Sequence, residues 1–151
     1  MVLKNIKSWM DEAIVLAMQA SARGEVPIGA VVVKNGAIIG RGYNLPREEC
    51  DPTAHAEIIA IRDAAKTLGQ SRLNGCDLWV TLEPCAMCAG AISHSRIDRL
   101  YYAASDEKGG AIEHGPRFFS QPTCHHQPEV YSGVGEEQAS ALLKKFFALR
   151  R

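Results

Sequence analysis

Apolar positions near the start of the chain follow the period of a helix. Ile14 and Ala17 lie about one helical turn apart, and the apolar pattern stops before a glycine. Ser8, followed three residues later by Asp11, resembles a capping box and predicts a helix N-cap. The pattern therefore predicts a helix over about residues 8–22.

The next apolar segment is typical of β-strands. Residues 27–33 are mostly apolar and rich in β-branched side chains. The dipeptide Asn35-Gly36 follows almost at once and favours a tight hairpin turn. Residues 37–42 predict the returning strand, so the sheet is expected to begin with an antiparallel pair.

Helical and extended patterns alternate through the middle of the chain. The predicted elements are a helix over 54–68 capped by Thr53, a strand over 77–82, a helix over 84–94 and a strand over 97–103. Together with the first helix and the hairpin, this order predicts an α/β layered domain with a mixed sheet.

The last third of the chain is irregular before it becomes helical. Residues 105–128 contain several glycines and prolines without any period, which predicts a long loop of the kind that often carries function. Residues 129–132 predict a short strand. Residues 136–151 predict an amphipathic helix that is acidic at its start and basic at its end, as the helix dipole favours.

The composition is that of an ordinary globular protein. The 151 residues suit one domain over residues 1–151, and 46% of them are apolar. The 17 basic and 17 acidic residues cancel, so a nucleic-acid partner must be recognised through local basic groups. No stretch approaches the ~18 apolar residues of a membrane span, and no signal-peptide pattern is visible, so a cytoplasmic protein is expected.

Two short segments carry the candidate chemistry. The first is His55-Ala56-Glu57 and the second is Pro84-Cys85-Ala86-Met87-Cys88, and each lies at the start of a predicted helix. Either segment alone is a weak signal, because Cys-x-x-Cys also occurs in redox pairs and zinc fingers. In this order, the two segments form the signature of zinc nucleobase deaminases.

The residue types suit a catalytic zinc ion. Zinc favours nitrogen and sulfur ligands in a tetrahedral arrangement, and a catalytic zinc keeps one position for water. His55, Cys85 and Cys88 provide three ligands, so one zinc per chain is predicted. Zinc lowers the pKa of bound water to roughly 7. Glu57 is then free to move protons from the water to the substrate ring and the leaving amine.

Two other kinds of metal site are supported less strongly by the sequence than the catalytic zinc, and both remain alternatives. A structural zinc site needs a fourth ligand, for which the remaining cysteines and two histidines are candidates: Cys50, Cys76, Cys124, His125 and His126. The cluster at 124–126 also suggests a second metal site. A buried cysteine with surface histidines is the simpler interpretation, because a second site needs three or four converging ligands.

Several longer segments resemble the bacterial tRNA-specific adenosine deaminases of the cytidine deaminase-like superfamily. They are VPIGA at 26–30, Asn44, DPTAHAE at 51–57, TLEPCAMCAGAI at 81–92, residues 94–97, Asp106 with Lys108, and FFALRR at 146–151. The resemblance implies a three-layer α/β/α fold with a five-stranded mixed sheet flanked by helices. It also implies a homodimer that deaminates the wobble adenosine, position 34, of an arginine tRNA anticodon loop.

The resemblance also implies roles for individual residues. Asn44 is expected to hydrogen-bond the flipped nucleoside, and Val26, Pro27 and Ile28 to line the base pocket. The backbone amides of Ala56 and Cys85 are expected to face the metal-bound region. The expected contacts to the anticodon loop are Asp106, Lys108, Phe147, Arg150 and Arg151. Either Phe146 or Phe147 is expected to stack on RNA while the other faces the core, because single-stranded RNA is read on aromatic platforms.

Two other functions remain alternatives. A deaminase of a free base or nucleoside, of the guanine or cytosine type, shares both zinc segments, so those segments do not decide the substrate. A catalytically silent zinc or RNA-binding module is the third hypothesis. Glu57 argues against it, because a silent module has no need of that acid.

Overall fold

A computed structural model describes residues 8–150 and contains the helices and strands in the predicted order. The helices are α1 Met10–Ala22, α2 Ala56–Leu68, α3 Ala86–Ser95 and α4 Glu136–Ala148. The strands are β1 Gly29–Lys34, β2 Ala37–Tyr43, β3 Asp77–Leu82, β4 Arg99–Ala104 and β5 Glu129–Ser132. A short 3₁₀ helix, Phe118–Ser120, interrupts the loop between β4 and β5.

The five strands form one mixed sheet in the order β2-β1-β3-β4-β5. Strand β1 is antiparallel to both of its neighbours, β2 and β3, whereas β3, β4 and β5 run parallel to one another. Helices α1 and α4 pack on one face of the sheet, and α2 and α3 pack on the other. The predicted three-layer α/β/α fold with a five-stranded mixed sheet is therefore confirmed.

The Asn35-Gly36 turn joins β1 and β2 as predicted. Asn35 has a φ of 50° and Gly36 a φ of 75°, so both central residues are left-handed, as this type of two-residue hairpin requires. The strands pair from Lys34 with Ala37 back to Gly29 with Tyr43, with one shift of register between Val32 and Val33. The hairpin thus brings Asn44, which follows β2, beside the start of β1.

Helix α2 lies very close to strand β2. A Cβ atom placed on Gly42 would lie 2.6 Å from the Ala60 nitrogen, and one placed on Gly40 would lie 2.7 Å from the Ala64 nitrogen. Only glycine admits so close an approach of two backbones. The contact fixes α2 against the sheet, and therefore fixes the position of its N-terminal residues.

Some predicted boundaries were wrong. Helix α2 begins at Ala56, two residues later than predicted, and His55 rather than Thr53 is its N-cap residue. The Asp51 carboxylate accepts hydrogen bonds from the Thr53 amide and hydroxyl, so this segment forms a separate turn. Such side-chain bonds compete with helix formation. The first strand and the fourth strand also begin two residues late, at Gly29 and Arg99.

The ends of the chain differ slightly from the expectation. Trp9 is the N-cap residue of α1, while the Ser8 hydroxyl accepts a hydrogen bond from the Met10 amide at 3.3 Å. Helix α4 ends at Ala148. Arg151 lies outside the described residues. Among residues 8–150, none of the helices combines the length and the apolar character that crossing a membrane requires.

Candidate metal and active site

The first candidate segment lies at the N-terminus of α2. His55 is the N-cap residue, and Glu57 is the second residue of the helix. The Ala56 amide donates a hydrogen bond of 2.9 Å to Oδ1 of Asn44. Because the first amides of a helix have no partner within it, this bond stabilises the start of α2 and ties it to the end of β2.

The second candidate segment lies at the N-terminus of α3. Cys85 is the N-cap residue of α3, and Cys88 lies in its first turn, where it is fully buried. Strand β3 ends just before this segment, next to β1 in the sheet. The sheet order therefore brings the N-termini of α2 and α3 together, although 30 residues separate His55 from Cys85.

His55, Cys85 and Cys88 converge with distances that suit zinc. Nδ1 of His55 lies 3.7 Å from Sγ of Cys85 and 3.5 Å from Sγ of Cys88, and all three ligand atoms lie within 4.8 Å of one another. A tetrahedral zinc with ordinary bond lengths places nitrogen and sulfur ligands about 3.6 Å apart. The three residues thus fit a zinc ion with little movement of the backbone.

The two cysteines differ in acidity. The hydrogen bond with the Cys88 thiol lowers the pKa of Cys85 to about 4, against the opposing effect of burial, and His55 adds to the lowering. The pKa of Cys88 is raised, mainly by its hydrogen bond to Cys85 and by burial. Hydrogen bonding with Cys85 raises the pKa of His55. The site thus favours a thiolate at Cys85, and a thiolate is the form that binds metal.

Glu57 is a buried acid beside the three candidate zinc ligands. Glu57 is only 4% exposed. Burial, helped by the negative charge of Cys85, raises the pKa of the Glu57 carboxyl to about 7. Within the described part of the chain, the cluster of possible metal ligands contains the histidine and the two cysteines but not Glu57. A carboxyl group whose pKa lies near neutrality can both accept and release a proton.

The predicted base-pocket segment lies next to Asn44. The backbone amide of Asn44 donates to the Ile28 carbonyl at 3.1 Å. Pro27 is fully buried, whereas Val26 and Ile28 are half-buried. Oδ1 of Asn44 already accepts the Ala56 amide. The Asn44 side-chain NH₂ is therefore the group left for a ligand, and a substrate contact by the Ala56 amide stays a prediction.

The C-terminal helix settles which phenylalanine is exposed. Phe146 is 5% exposed and faces the interior, whereas Phe147 is 47% exposed. The Arg150 guanidinium stacks on the Phe146 ring at 3.6 Å and donates to the Phe146 carbonyl at 3.3 Å. Arg150 therefore packs on its own helix, and its predicted RNA contact has to be made from that stacked position.

The loop after β4 contains the other two predicted RNA contacts. Oδ1 of Asp106 accepts the amides of Lys108 at 3.2 Å and Gly109 at 2.9 Å, so this carboxylate shapes the turn. Lys108 is exposed. Of the two residues, Lys108 is the one with a side chain free to reach a phosphate.

The predicted alternatives for metal binding are not supported. In residues 8–150, the one group of three or more possible ligands is the His55 cluster, which has no fourth histidine or cysteine. His126 lies 2.6 Å from the Ile97 carbonyl through Nε2, and Cys124 is near Ser93. Residues 124–126 form no such group in the described structure, which agrees with the simpler interpretation of this cluster.

Sequence reasoning missed Glu83 and His114. Glu83 directly precedes Pro84, and its side chain is completely buried beside the imidazole of His114. Burial alone raises the pKa of Glu83, but hydrogen bonds from backbone amides and from His114 outweigh it, so the pKa lies below its usual range. An acidic residue at the end of a buried strand was the available signal, since a buried charge needs partners.

Comparisons with known proteins agree with this geometry. The cytidine and deoxycytidylate deaminase zinc-binding region matches residues 3–104. The tRNA-specific adenosine deaminase of Agrobacterium fabrum is 59% identical over 143 residues, which are 95% of this chain and 94% of that protein.

Two solved structures are also similar. One, from studies of A-to-I editing by tRNA:A34 deaminases, has a TM-score of 0.88 at 60% identity and covers 89% of this chain and 98% of that chain. A guanine deaminase from Bacillus subtilis has a TM-score of 0.66 at 36% identity and covers 97% of this chain and 94% of that chain.

Proposed function

Because this chain belongs to the cytidine and deoxycytidylate deaminase family and matches a tRNA-specific adenosine deaminase along nearly its whole length, we propose that it converts adenosine to inosine in tRNA. It is a zinc-dependent hydrolytic deaminase by family. The proposed target is the wobble adenosine, position 34, of an arginine tRNA anticodon loop. The convergence of His55, Cys85 and Cys88 beside the buried acid Glu57 is the observation that carries the proposal.

The proposed reaction is the attack of water on C6 of adenine. Zinc, when held by the three ligands, supplies Lewis-acid activation of a water molecule. Glu57 accepts a proton from the attacking water and delivers it to the adjacent ring nitrogen. Glu57 then accepts the remaining proton of the hydroxyl group added at C6 and passes it to the amino group. The bond from C6 to that amino group breaks, ammonia leaves, and the new carbon–oxygen bond remains as the C6 carbonyl of inosine.

The residues around the cluster are proposed to hold the base. Asn44, tied to Ala56 by its Oδ1, presents its NH₂ group to acceptors of the flipped nucleoside. Val26, Pro27 and Ile28 provide an apolar wall next to it. An anticodon base already lies in a loop, so extruding it costs only a few kcal/mol.

A free-base deaminase is the rival function, and one observation favours keeping it. The guanine deaminase of Bacillus subtilis shares the fold at 36% identity. The tRNA-specific relative is much more similar, at 59%, and its match extends to 95% of this chain. Incubation of the zinc-loaded protein with an anticodon stem-loop and, separately, with free bases distinguishes the two functions.

Phe147 is proposed as the aromatic platform for the anticodon loop. It is half exposed on α4, and the exposed Lys144 and Lys145 lie within one turn of it. Stacking of a base on an aromatic ring contributes roughly 1–3 kcal/mol. Phe147→Ala is therefore expected to weaken stem-loop binding by about tenfold, measured by fluorescence anisotropy, without changing zinc content.

Leu149→Ala is the matched control, because Leu149 is an exposed apolar residue at the end of the same helix. The control is expected to bind the stem-loop like the wild-type protein. Equal affinity of Phe147→Ala and wild type at several salt concentrations contradicts a stacking role for this residue.

The protein is proposed to be a single domain that forms a homodimer, as the resemblance to the deaminase family implies. Sedimentation velocity at micromolar concentration is expected to give twice the mass of the 16.4 kDa chain. A mass that stays at that of one chain over the same concentrations contradicts the dimer. The cytoplasmic location remains a prediction.

A further inference from the structure

The buried Glu83 carboxylate binds a loop through five hydrogen bonds. Oε1 accepts the Asp106 amide at 3.0 Å and Nδ1–H of His114 at 2.8 Å. Oε2 accepts the amides of Ile112, Glu113 and His114 at 3.0–3.2 Å. The carboxylate therefore connects both ends of the loop formed by residues 106–114.

The same loop lies too close to Glu83 for any larger residue at position 110. A Cβ atom on Gly110 would collide with the Glu83 carboxylate and would lie 2.5 Å from the Asp106 carbonyl oxygen. The Ala111 amide donates to the Pro84 carbonyl at 2.9 Å, and the Gly110 amide donates to the Asp106 carbonyl. The 106–114 loop is thus held against the segment that leads into the zinc ligands.

The two strands that lead to these segments are parallel neighbours. Leu82, the last residue of β3, pairs with Ala104, the last residue of β4, and the Glu83 amide donates to the Ala104 carbonyl at 2.8 Å. The Pro84-Cys85 turn and the 106–114 loop therefore leave the same edge of the sheet side by side. Glu83 is the side chain that they share.

We infer that His114 and Glu83 form a positioning pair that holds the 106–114 loop, with its exposed Lys108, in the conformation that binds the RNA substrate. The inference rests on the proposed function. Of the five donors to Glu83, four are backbone amides and one is the His114 side chain. That side chain is 31% exposed, so it closes the loop from the outer side. The hydrogen bonds of the Glu83 carboxylate run to the 106–114 loop, and neither residue belongs to the His55 cluster, so the pair is expected to act on substrate binding and not on the chemical step.

His114 is a better residue to vary than Glu83. Removing the Glu83 carboxylate leaves several buried amides without an acceptor and threatens the fold. His114→Ala removes one donor and retains the four amide hydrogen bonds to Glu83. His114→Asn keeps a side-chain NH₂ group that can donate to Glu83, so it serves as the rescue variant.

The test compares steady-state deamination of an anticodon stem-loop by wild type, His114→Ala and His114→Asn. The control is His125→Ala, which removes an exposed histidine further along the same connection between β4 and β5. His114→Ala is expected to raise KM about tenfold, the effect of one hydrogen bond to a charged group, with kcat within about threefold of wild type. His114→Asn is expected to restore most of the KM, and His125→Ala to resemble wild type.

Amide hydrogen exchange provides a readout that does not depend on activity. The Ile112 and Glu113 amides are expected to exchange faster in His114→Ala and at the wild-type rate in His114→Asn. An unchanged KM in His114→Ala, or a fall in kcat alone, overturns the positioning role while leaving the proposed function intact. A wild-type protein that does not deaminate the stem-loop overturns the proposed function, and the inference falls with it.

Discussion

Glu57→Gln is expected to reduce kcat for adenosine deamination by about 10²–10⁴-fold, which is the usual contribution of a general acid–base group. Glutamine keeps the size of the side chain but cannot accept and release protons. Since the Glu57 carboxyl carries several proton transfers in the proposed reaction, the upper end of that range is expected. Single-turnover deamination of the stem-loop measures the effect.

Zinc content and stability separate a catalytic from a structural role for Glu57. The three ligand residues remain, so about one zinc per chain is expected in Glu57→Gln by elemental analysis. Burial raises the pKa of Glu57 in the folded, metal-free protein to about 7, above its value in the unfolded chain. The folded state therefore loses stability as the pH rises above the unfolded pKa, and the loss is complete once the folded acid has also ionised. Glu57→Gln removes that effect, and its metal-free form is expected to melt at or above the wild-type temperature near pH 8. Near-normal turnover of this variant contradicts the assigned role.

Cys88→Ser is expected to lose both zinc and activity. Cys88 is fully buried, and its Sγ lies 3.5 Å from Nδ1 of His55, so its loss leaves two ligands where a catalytic zinc has three. Metal binding also contributes to folding, so a lower melting temperature than that of the zinc-loaded wild type is expected. Elemental analysis after purification without chelator and a thermal melt measure both effects.

Cys50→Ser is the control for this variant. Cys50 is an exposed free thiol outside the metal cluster. It is expected to retain one zinc per chain and wild-type turnover. Full zinc occupancy in Cys88→Ser, or metal-free wild-type protein, contradicts the ligand set.

The order of elements and the metal cluster could be predicted because each depends on local pattern. Strand and helix periods, the Asn35-Gly36 turn and the two zinc segments are all visible within short windows of sequence. His55 caps α2, which follows the β1–β2 hairpin, and Cys85 caps α3, which follows β3. Because β1 and β3 are neighbours in the sheet, the two residues come together. Residue type and order were therefore enough to predict which three side chains cluster as possible zinc ligands.

The remaining features depend on contacts that no short window contains. Thr53 is a good N-cap residue, but Asp51 takes its amide and hydroxyl, and Asn44 takes the first amide of the helix instead. The loop over 105–128 has no period, so the convergence of its amides on Glu83 could not be foreseen. The helix period alone could not decide which of Phe146 and Phe147 faces the interior, because that depends on how α4 packs.

Incubation of the zinc-loaded protein with an anticodon stem-loop that carries adenosine at the wobble position, and separately with adenosine, guanine and cytosine, is the most direct test of tRNA adenosine deamination. Nucleoside analysis by mass spectrometry after complete digestion detects the product. The expected result is inosine at the wobble position of the stem-loop, absent with Glu57→Gln, and no conversion of the free compounds at equal enzyme concentration. Deamination of a free base together with an unchanged stem-loop contradicts the proposed function.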